Sequence, residues 1–529
     1  MTSEGEGGTA RVFLVGAGPG NPGLLTLRAA ELLAAADVVL YDQLVPVRLL
    51  DFANPKAETI CVRELPGKHP DKYPAIFELM IDRARRGQTV VRLKGGDPLI
   101  FGRGGEESDA LRAAGIGYEI VPGVTAALGA AAFLDLPLTH RLHASAVAFV
   151  TGHELPSKPG QSLDWKALAA FPGTLVIYMG VSRLPLIVAE LLKFGRSPGE
   201  PSLLVERAST GEMRSVRAPL AELDAARRHA GLEAPGLIMI GPTVALRREP
   251  SWFEAKPLFG IRVLVTRPRH QAREFMNLLE SLGAVPIVLP ALRIADPADP
   301  AAIDAAIGRL GDGMYDWIAF TSANAVHGFK KRLNALGRDV RVIGRTRIAS
   351  VGTKTTLALK ALSLTPDLEP EHFSGRALAE ALAQVAPGQR ILVPQANVGK
   401  ATIASRLSGI ATVDVVAAYD QIEAVERSHD AFAALARGEV QMITLTSANI
   451  ARAVLGACDP IVRARIDRGE IAVVCLGSDV ASAVRELGII VAGIAEPSTD
   501  EGMIDVMKRL RPIDSRCLHE GFAFVHGSD

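Results

Sequence analysis

Short apolar runs alternate with helix-forming stretches along the first half of the chain. Residues 11–15 form a run with β-branched side chains, residues 24–36 are typical of a helix, and residues 37–41 form the next apolar run. The same alternation continues to about residue 244. Since strands alternating with helices are typical of α/β folds, we predict an α/β unit over residues 11–246.

A second pattern follows this unit. Residues 247–260 contain two prolines, a tryptophan and several charges, and we interpret them as a linker. Beyond them, residues 262–266 predict a strand and residues 271–282 predict a helix, with Gly283 as its C-terminal cap. The pattern therefore indicates a second α/β unit, which we place at residues 261–511.

This second unit contains an internal repeat. The paired segments are F-T-S-A-N at 320–324 with L-T-S-A-N at 445–449, V-G-T at 351–353 with L-G-S at 476–478, and V-L-V at 263–265 with I-L-V at 391–393. Two of the pairs are offset by 125 residues and the third by 128. Three matches at nearly one offset predict two similar α/β lobes with a cleft between them, a common place for a ligand.

Composition narrows the class of protein. Lys plus Arg equals Asp plus Glu, at 58 each, which gives no bulk attraction to nucleic acid or to an acidic membrane. No apolar run is long enough to span a bilayer, and the four cysteines are scattered without a metal-binding or disulfide pattern. We therefore expect a cytoplasmic protein without a metal, with tails at residues 1–10 and 512–529.

Three glycine-rich segments follow predicted strands in the first unit. They are G-A-G-P-G at 16–20, R-L-K-G-G-D-P at 92–98 running into F-G-R-G-G-E-E at 101–107, and V-P-G-V-T-A at 121–126. Glycine lets backbone approach a ligand closely, and loops at the strand ends of α/β sheets are where ligands bind. Pro19 and Pro22 interrupt the helix start that a dinucleotide motif requires. Arg103 and Glu106 would share one face if a helix begins there.

These segments, taken in order, resemble the tetrapyrrole methyltransferases, and most closely uroporphyrinogen-III C-methyltransferase. The resemblance also rests on V-V-L-Y-D at 38–42, P-L-T-H-R at 137–141, V-T-G-H at 150–153 and Y-M-G at 178–180. It implies two α/β lobes that hold S-adenosylmethionine between them, usually in a homodimer. By motif, the cofactor would lie along Pro19, Gly95, Gly96, Asp97, Ile100, Thr125, Ala126, Met179 and Ala208. Asp97 could lie near the positive sulfur or could cap a helix before Pro98.

The implied substrate is a tetrapyrrole with eight carboxylates. Arg103, Arg141 and His153 are candidate partners for them, because guanidinium groups match carboxylates bidentately. Glu106 would orient Arg103 or accept a pyrrole N–H. Asp42 corresponds to the family's proposed base, although it could also be a simple turn residue after a strand.

One position departs from the family pattern. The family often has G-K-R where this chain has Arg63-Glu64-Leu65, so the lysine proposed there as a proton donor falls at Glu64. Arg63 or Lys68 could replace that lysine, or the proton path differs. The donor is left unassigned.

The second unit resembles uroporphyrinogen-III synthase, whose lobes exchange segments. The matching residues are Val263 with Thr266-Arg267-Pro268, both T-S-A-N segments, V-G-T-K-T at 351–355, Tyr419, and Pro497-Ser498-Thr499 followed by Gly502. The resemblance implies that hydroxymethylbilane closes with loss of water, which Tyr419 would assist, unless it is only a strand-end aromatic. Candidate carboxylate contacts are Thr321, Ser322, Lys354, Thr446, Ser447 and Thr499. The Thr-Ser pairs could also cap helices that begin at Ala323 and Ala448 and direct two helix N-termini at one cleft.

Together the two resemblances predict a bifunctional enzyme of tetrapyrrole biosynthesis. Its second half would make uroporphyrinogen III, and its first half would methylate that product twice to give precorrin-2 for sirohaem or cobalamin. The alternative is a methyltransferase for a later precorrin, joined to a C-terminal half that binds a tetrapyrrole without catalysis.

Overall fold

The structure, a computed structural model, describes residues 12–65, 72–153, 163–399, 402–426 and 429–510. The predicted tails, Lys68 and Cys517 lie outside the described residues. Within the described parts of the chain, the strands form four five-stranded sheets. We call residues 12–246 the front module and residues 261–510 the back module. No helix in the described ranges combines the length and apolarity needed to cross a membrane.

The first sheet of the front module is entirely parallel, in the order β3-β2-β4-β1-β5. Its elements are β1 (Val12–Gly16), α1 (Leu27–Ala35), β2 (Val38–Tyr41), β3 (Glu58–Cys61), α2 (Lys72–Arg85), β4 (Val90–Lys94), α3 (Gly104–Ala113) and β5 (Tyr118–Val121). Helices cover both faces, so β1 and β4 are buried throughout, as expected for central parallel strands. The strand, helix and strand predicted at the start of the chain are confirmed.

The second sheet is mixed, in the order β6-β7-β10-β8-β9, and only β6 and β7 are parallel neighbours. The elements of this part are α4 (Ala126–Phe133), β6 (Val147–Thr151), α5 (Trp165–Ala169), β7 (Thr174–Tyr178), α6 (Leu184–Lys193), β8 (Pro201–Glu206), β9 (Arg214–Pro219), α7 (Leu223–His229) and β10 (Gly236–Ile240). Helix α4 packs in one core with β7, β8 and β10. It thereby joins the end of the first sheet to the second.

The segment between the modules is packed on both sides. Phe253 lies in the core under α4 and Leu258 lies in a core of the back module, and both are fully buried. The indole nitrogen of Trp252 donates to the carbonyl of Ala132 at 2.8 Å. The amide of Leu258 donates to Leu282 at 3.0 Å. Contacts on both sides of this segment hold the two modules against each other.

The back module contains two sheets. Its elements are β11 (Arg262–Val265), α8 (Arg269–Ser281), β12 (Val285–Val288), β13 (Leu292–Ala295), α9 (Ala301–Gly311), β14 (Trp317–Phe320), α10 (Ala323–Ala335), β15 (Arg347–Ser350), α11 (Thr353–Lys360), α12 (Gly375–Val385), β16 (Arg390–Ala396), α13 (Thr402–Arg406), β17 (Thr412–Glu423), α14 (Asp430–Ala436), β18 (Met442–Leu445), α15 (Ala448–Ala457), α16 (Pro460–Asp467), β19 (Ala472–Cys475), α17 (Ser478–Glu486), β20 (Gly493–Ile494) and α18 (Asp500–Arg509). Gly283 follows α8 with a positive φ of 83°, as the predicted cap requires.

The two lobes of the back module are not consecutive stretches of chain. One sheet has the order β12-β11-β18-β19-β20, and the other, β13-β17-β16-β14-β15, is built from the residues inserted between β12 and β18. The T-S-A-N segments follow β14 and β18, and the V-G-T and L-G-S segments follow β15 and β19. The strands β12-β11-β18-β19 therefore correspond to β17-β16-β14-β15, although the chain visits them in a different order.

Candidate active sites

The floor of the first site is backbone. Three loops meet where β1, β4 and β5 end, and we call this region, residues 16–20, 95–97 and 123–126, the glycine crevice. The amide of Gly96 donates to the carbonyl of Gly18 at 2.8 Å, and the amide of Gly18 donates back at 3.1 Å. A Cβ on Gly123 would lie 2.2 Å from the carbonyl oxygen of Gly96 and 2.8 Å from the Cα of Gly16. Only glycine permits this approach.

Asp97 holds two of these loops together. Its Oδ1 accepts from the amide of Leu99 at 2.8 Å, and its Oδ2 accepts from the amide of Gly123 at 3.0 Å. Helix α3 begins only at Gly104, so the alternative that Asp97 caps a helix before Pro98 is wrong. Asp97 shapes the crevice and leaves the remaining lone pairs of its carboxylate for another partner.

The walls of the crevice come from four further segments. A Cβ on Gly95 would lie 3.6 Å from the Cβ of Leu44, and one on Gly20 would lie 3.7 Å from the carbonyl of Ala208. Thr125 and Tyr178 share a hydrogen bond of 2.7 Å, which brings Met179 beside the crevice. The ring of Phe101 packs on Tyr178 with centroids 4.9 Å apart. The remaining cofactor candidates also lie at or near the crevice. Pro19 packs against Gly129, and Ile100 is next to Phe101 in the chain. A Cβ built on Gly96 would lie 3.6 Å from the backbone nitrogen of Ala126.

A buried ion cluster lies at the end of β4. Arg92 contacts Asp42 through Nη2 and Glu107 through Nε, the latter at 3.0 Å. The Nζ of Lys94 lies 2.8 Å from the same Oε1 of Glu107. Arg92, Lys94 and Glu107 are almost fully buried, whereas the side chain of Asp42 is 30% exposed. Asp42 is therefore the accessible end of an otherwise enclosed network.

Two cations of this cluster, Arg92 and Lys94, were not assigned a role from the sequence. Burial, together with the charge of Arg92, lowers the pKa of the Lys94 ammonium. Glu107 also has one carboxylate oxygen, Oε2, that is buried without a hydrogen-bond partner among the described residues. The signal was visible in the strand V-V-R-L-K, because two charges at alternate positions of a buried strand require partners.

Arg103 and Glu106 form the ion pair that their spacing predicted. The Nε of Arg103 lies 3.0 Å from both oxygens of Glu106, and the guanidinium stacks 3.4 Å from the ring centroid of Tyr73. Arg103 itself has a positive φ of 59° just before α3. Arg141 and His153 are exposed. Within the described ranges, no hydrogen bond or ion pair joins either of them to Arg103 or Asp42.

The second site lies between the lobes of the back module. The hydroxyls of Ser322, Ser447 and Thr499 accept from the amides three residues ahead at 3.1, 3.3 and 3.1 Å, and so cap α10, α15 and α18. Thr321 and Thr446 lie half-buried at the adjoining strand ends. The caps predicted in the two T-S-A-N segments are thus present at Ser322 and Ser447, and helix N-termini attract anions.

Side chains from both lobes meet across this interlobe cleft. Arg267 pairs with Asp500 in a fork whose Nη1–Oδ2 distance is 2.9 Å, and Lys354 approaches Asp500 from the other lobe at 3.4 Å. Gln271 donates to Asn324 at 2.8 Å. Burial alone would raise the pKa of Asp500, but the hydrogen bond and charge of Arg267 hold that pKa below its ordinary value. Arg267 and Asp500 were not among the predicted site residues.

Tyr419 lies at the base of the cleft. Its side chain is 5% exposed and packs in the core of the inserted lobe, while its hydroxyl lies 3.2 Å from the Oγ of Ser322. The ring therefore has a structural role, and its hydroxyl reaches the capped end of α10.

Comparison with known proteins identifies both modules. A family model described as Tetrapyrrole (Corrin/Porphyrin) Methylases matches residues 11–224, and one described as Uroporphyrinogen-III synthase HemD matches residues 273–505. The chain is 34% identical to the porphyrin biosynthesis protein HemD of Ruminiclostridium josui, over 93% of this chain and 97% of that one. It is 38% identical to the uroporphyrinogen-III C-methyltransferase of Bacillus subtilis, over 69% and 75%.

A solved structure resembles the front module. It is the uroporphyrin-III C-methyltransferase of Thermus thermophilus complexed with S-adenosylhomocysteine, which is 46% identical and matches over 45% of this chain and 100% of that one, with a TM-score of 0.38.

Proposed function

We propose that this chain, which belongs to the tetrapyrrole methylase family through its front module and to the uroporphyrinogen-III synthase family through its back module, catalyses two consecutive reactions. The back module closes hydroxymethylbilane to uroporphyrinogen III with loss of water. The front module then transfers two methyl groups to that product to give precorrin-2, the precursor of sirohaem and cobalamin. The observation that carries the proposal is the glycine crevice beside the exposed end of a buried ion cluster.

The crevice suits S-adenosylmethionine. This donor carries a positive sulfur and no phosphates, so it needs close backbone and a carboxylate rather than a phosphate-binding helix. Gly95, Gly96 and Ala126 supply the backbone, and Asp97 supplies the carboxylate. The other proposed contacts are Pro19, Ile100, Thr125, Met179 and Ala208. When bound, the donor supplies an electrophilic methyl group.

Asp42 is proposed as the base that removes a proton from the methylated pyrrole ring. Its contact with Arg92 orients the carboxylate, and the exposed side of Asp42 remains open to a substrate. Arg103, oriented by Glu106, is placed to bind a substrate carboxylate bidentately. Arg141 and His153 are proposed as further carboxylate partners because both are exposed. Much of the rate enhancement should come from alignment of the reacting carbon.

The back module is proposed to hold the linear tetrapyrrole folded, so that closure with inversion of the last ring outruns spontaneous closure. The helix ends capped by Ser322, Ser447 and Thr499 are placed to bind its carboxylates, with Thr321, Thr446 and Lys354 beside them. Tyr419 is proposed to donate a proton to the departing hydroxide.

The proposal is tested by supplying the purified chain with hydroxymethylbilane and S-adenosylmethionine and identifying the products by mass spectrometry. We expect dimethylated precorrin-2. Unmethylated uroporphyrinogen I as the sole product would contradict the proposal. Asp42→Asn should stop the reaction at uroporphyrinogen III, whereas Tyr419→Phe should slow ring closure but still methylate added uroporphyrinogen III.

Supplying the chain with uroporphyrinogen III and with later precorrins in separate assays tests the alternative function. If the front module methylates a later precorrin but not uroporphyrinogen III, and no ring closure occurs, the chain is a later methyltransferase with a binding module.

We also propose a cytoplasmic homodimer that forms through the front module. The most exposed apolar side chains there, Leu27 and Leu142, support this assembly, and light scattering measures its mass.

A further inference from the structure

Two walls of the glycine crevice also contact the back module. The first wall is residues 42–52, which carries Asp42 and Leu44. The second is residues 207–212, which carries Ala208. Leu44 lies against Gly95, and Ala208 and Thr210 lie against Gly20. The inner side of each wall therefore faces the crevice.

The outer side of the first wall is fixed by α8. Arg48 lies in a short 3₁₀ helix, Val47–Phe52, and its Nε lies 3.3 Å from Oε1 of Glu280. Its Nη2 donates to the carbonyl of Arg273 at 3.2 Å and to Oδ1 of Asn277. The side chain of Arg48 is only 13% exposed and also pairs with Asp51. One arginine thus joins this wall to three successive turns of α8.

The outer side of the second wall meets the turn after α8. A Cβ on Gly211 would lie 2.4 Å from the carbonyl oxygen of Gly283 and 2.9 Å from Val285, so the two backbones touch. Glu212 pairs with Arg262 of β11 at 2.7 Å through Oε1, and its other oxygen pairs with Arg207 of the same wall at 2.6 Å.

One continuous segment of the back module, residues 262–285, makes all of these contacts. The start of α8 contacts the interlobe cleft, because Gln271 reaches Asn324 and the guanidinium of Arg267 stacks 4.6 Å from the ring centroid of Phe275. The rest of α8 and the turn after it lie against the two walls. The back module therefore supplies the outer support for both walls of the crevice.

We propose that residues 262–285 hold the walls of the methyl-donor crevice in their binding-competent positions, with Arg48 and Glu212 as the positioning residues. This inference rests on the proposed function, since it assumes that the crevice binds S-adenosylmethionine. A loop that is ordered before binding does not have to be ordered by the ligand. Donor affinity in the front module thus depends on contacts with the back module.

The test is a double-mutant cycle on the full chain, with S-adenosylhomocysteine binding measured by isothermal titration calorimetry. We expect Arg48→Ala and Glu280→Ala each to weaken binding by at least about fivefold, the lower end of typical coupling between sites. The double variant should be little weaker than the worse single variant, because Arg48→Ala already removes the contact with Glu280. Arg28→Ala, which removes an exposed pair with Glu119 of the same module, should leave affinity unchanged.

Three outcomes overturn the inference. Unchanged affinity in the Arg48 and Glu280 variants overturns this inference but not the proposed function. An equal loss of affinity in Arg28→Ala has the same consequence. Absence of binding to the wild-type chain overturns it together with the proposed function. If Arg48→Ala lacks the wild-type calorimetric unfolding transition, Glu212→Gln tests the second wall by the same measurement, and unchanged affinity there is equally decisive.

Discussion

The glycine crevice and the interlobe cleft are both proposed ligand sites, but they are built from different parts of the chain. The crevice is made of backbone from one sheet, and its loops touch so closely that a Cβ on Gly123 would overlap Gly96. The cleft is made of side chains from two lobes, and two contacts join those lobes, Gln271 with Asn324 and Lys354 with Asp500. The floor of the first site is therefore complete once one sheet has folded, whereas the second site requires two lobes to dock.

This difference determines which interactions stabilise each site. In the crevice, close packing and a buried ion cluster make most changes costly. In the cleft, hydrogen bonds and ion pairs carry the geometry, and the two contacts that join the lobes are exposed to solvent, so each of them contributes less. The following variants test that contrast, beginning with the one expected to have the largest effect.

Removal of Glu107 should destabilise the front module most. Glu107→Leu leaves Lys94 buried without its carboxylate and, among the described residues, leaves Arg92 with Asp42 as its one carboxylate partner. Loss of one partner of a buried ion pair costs about 3–5 kcal/mol. Calorimetry of the full chain should show the unfolding transition of the front module shifted to lower temperature, while that of the back module stays in place.

The matched control is Asp109→Leu, an exposed acid on the same helix that pairs only with Arg112 among the described residues. We expect it to change stability by under about 0.5 kcal/mol. Equal losses of stability in Glu107→Leu and Asp109→Leu would show that the buried cluster stabilises the front module no more than an exposed ion pair does.

Closing the crevice should abolish most donor binding. Gly123→Ala places a methyl group against the carbonyl of Gly96, so one loop must move. Overpacking of this kind costs typically 1–3 kcal/mol, and about 2.7 kcal/mol corresponds to about 100-fold weaker binding. Titration with S-adenosylhomocysteine measures the loss. Gly105→Ala, where a Cβ meets nothing within 4 Å, should bind as the wild type does.

The same contrast explains what could be predicted from the sequence. The strand ends and glycine loops of the front module were predictable, because each motif is a contiguous run whose conformation requires its residues. The buried partnership of Arg92, Lys94 and Glu107 was not assigned, since a motif names residues without saying which of them face inward. Contacts such as that of Gln271 with Asn324 depend on lobe docking, and Arg267 and Asp500 lie 233 residues apart in the chain, so no local pattern records either pair.

In the cleft, Asp500→Asn should have a moderate and pH-dependent effect. Since the pKa of Asp500 is lower in the folded chain, its pairing stabilises the back module at neutral pH, and the stabilisation is lost as pH falls through that pKa. We expect a loss of about 2 kcal/mol at pH 7, typical of a hydrogen-bonded charge. The loss should shrink below about pH 4, where aspartate ordinarily protonates.

Calorimetry of the back module between pH 7 and pH 3 measures both effects. Asp505→Asn changes an exposed aspartate on the same helix, paired with Lys508, and should shift neither the stability nor its pH dependence. A pH dependence of Asp500→Asn that parallels the wild type would contradict the role of the pair.

The smallest effect separates the two copies of the T-S-A-N segment. Ser322 and Ser447 cap equivalent helices, so replacing either by alanine should cost about 1 kcal/mol. Only Ser322 also reaches the hydroxyl of Tyr419. Ser322→Ala should therefore lower the rate of ring closure more than Ser447→Ala does, at matched loss of stability, when uroporphyrinogen III formation is measured. Equal rates in the two variants would mean that the two helix ends contribute equally to ring closure and that the Tyr419 hydroxyl does not need its hydrogen bond with Ser322.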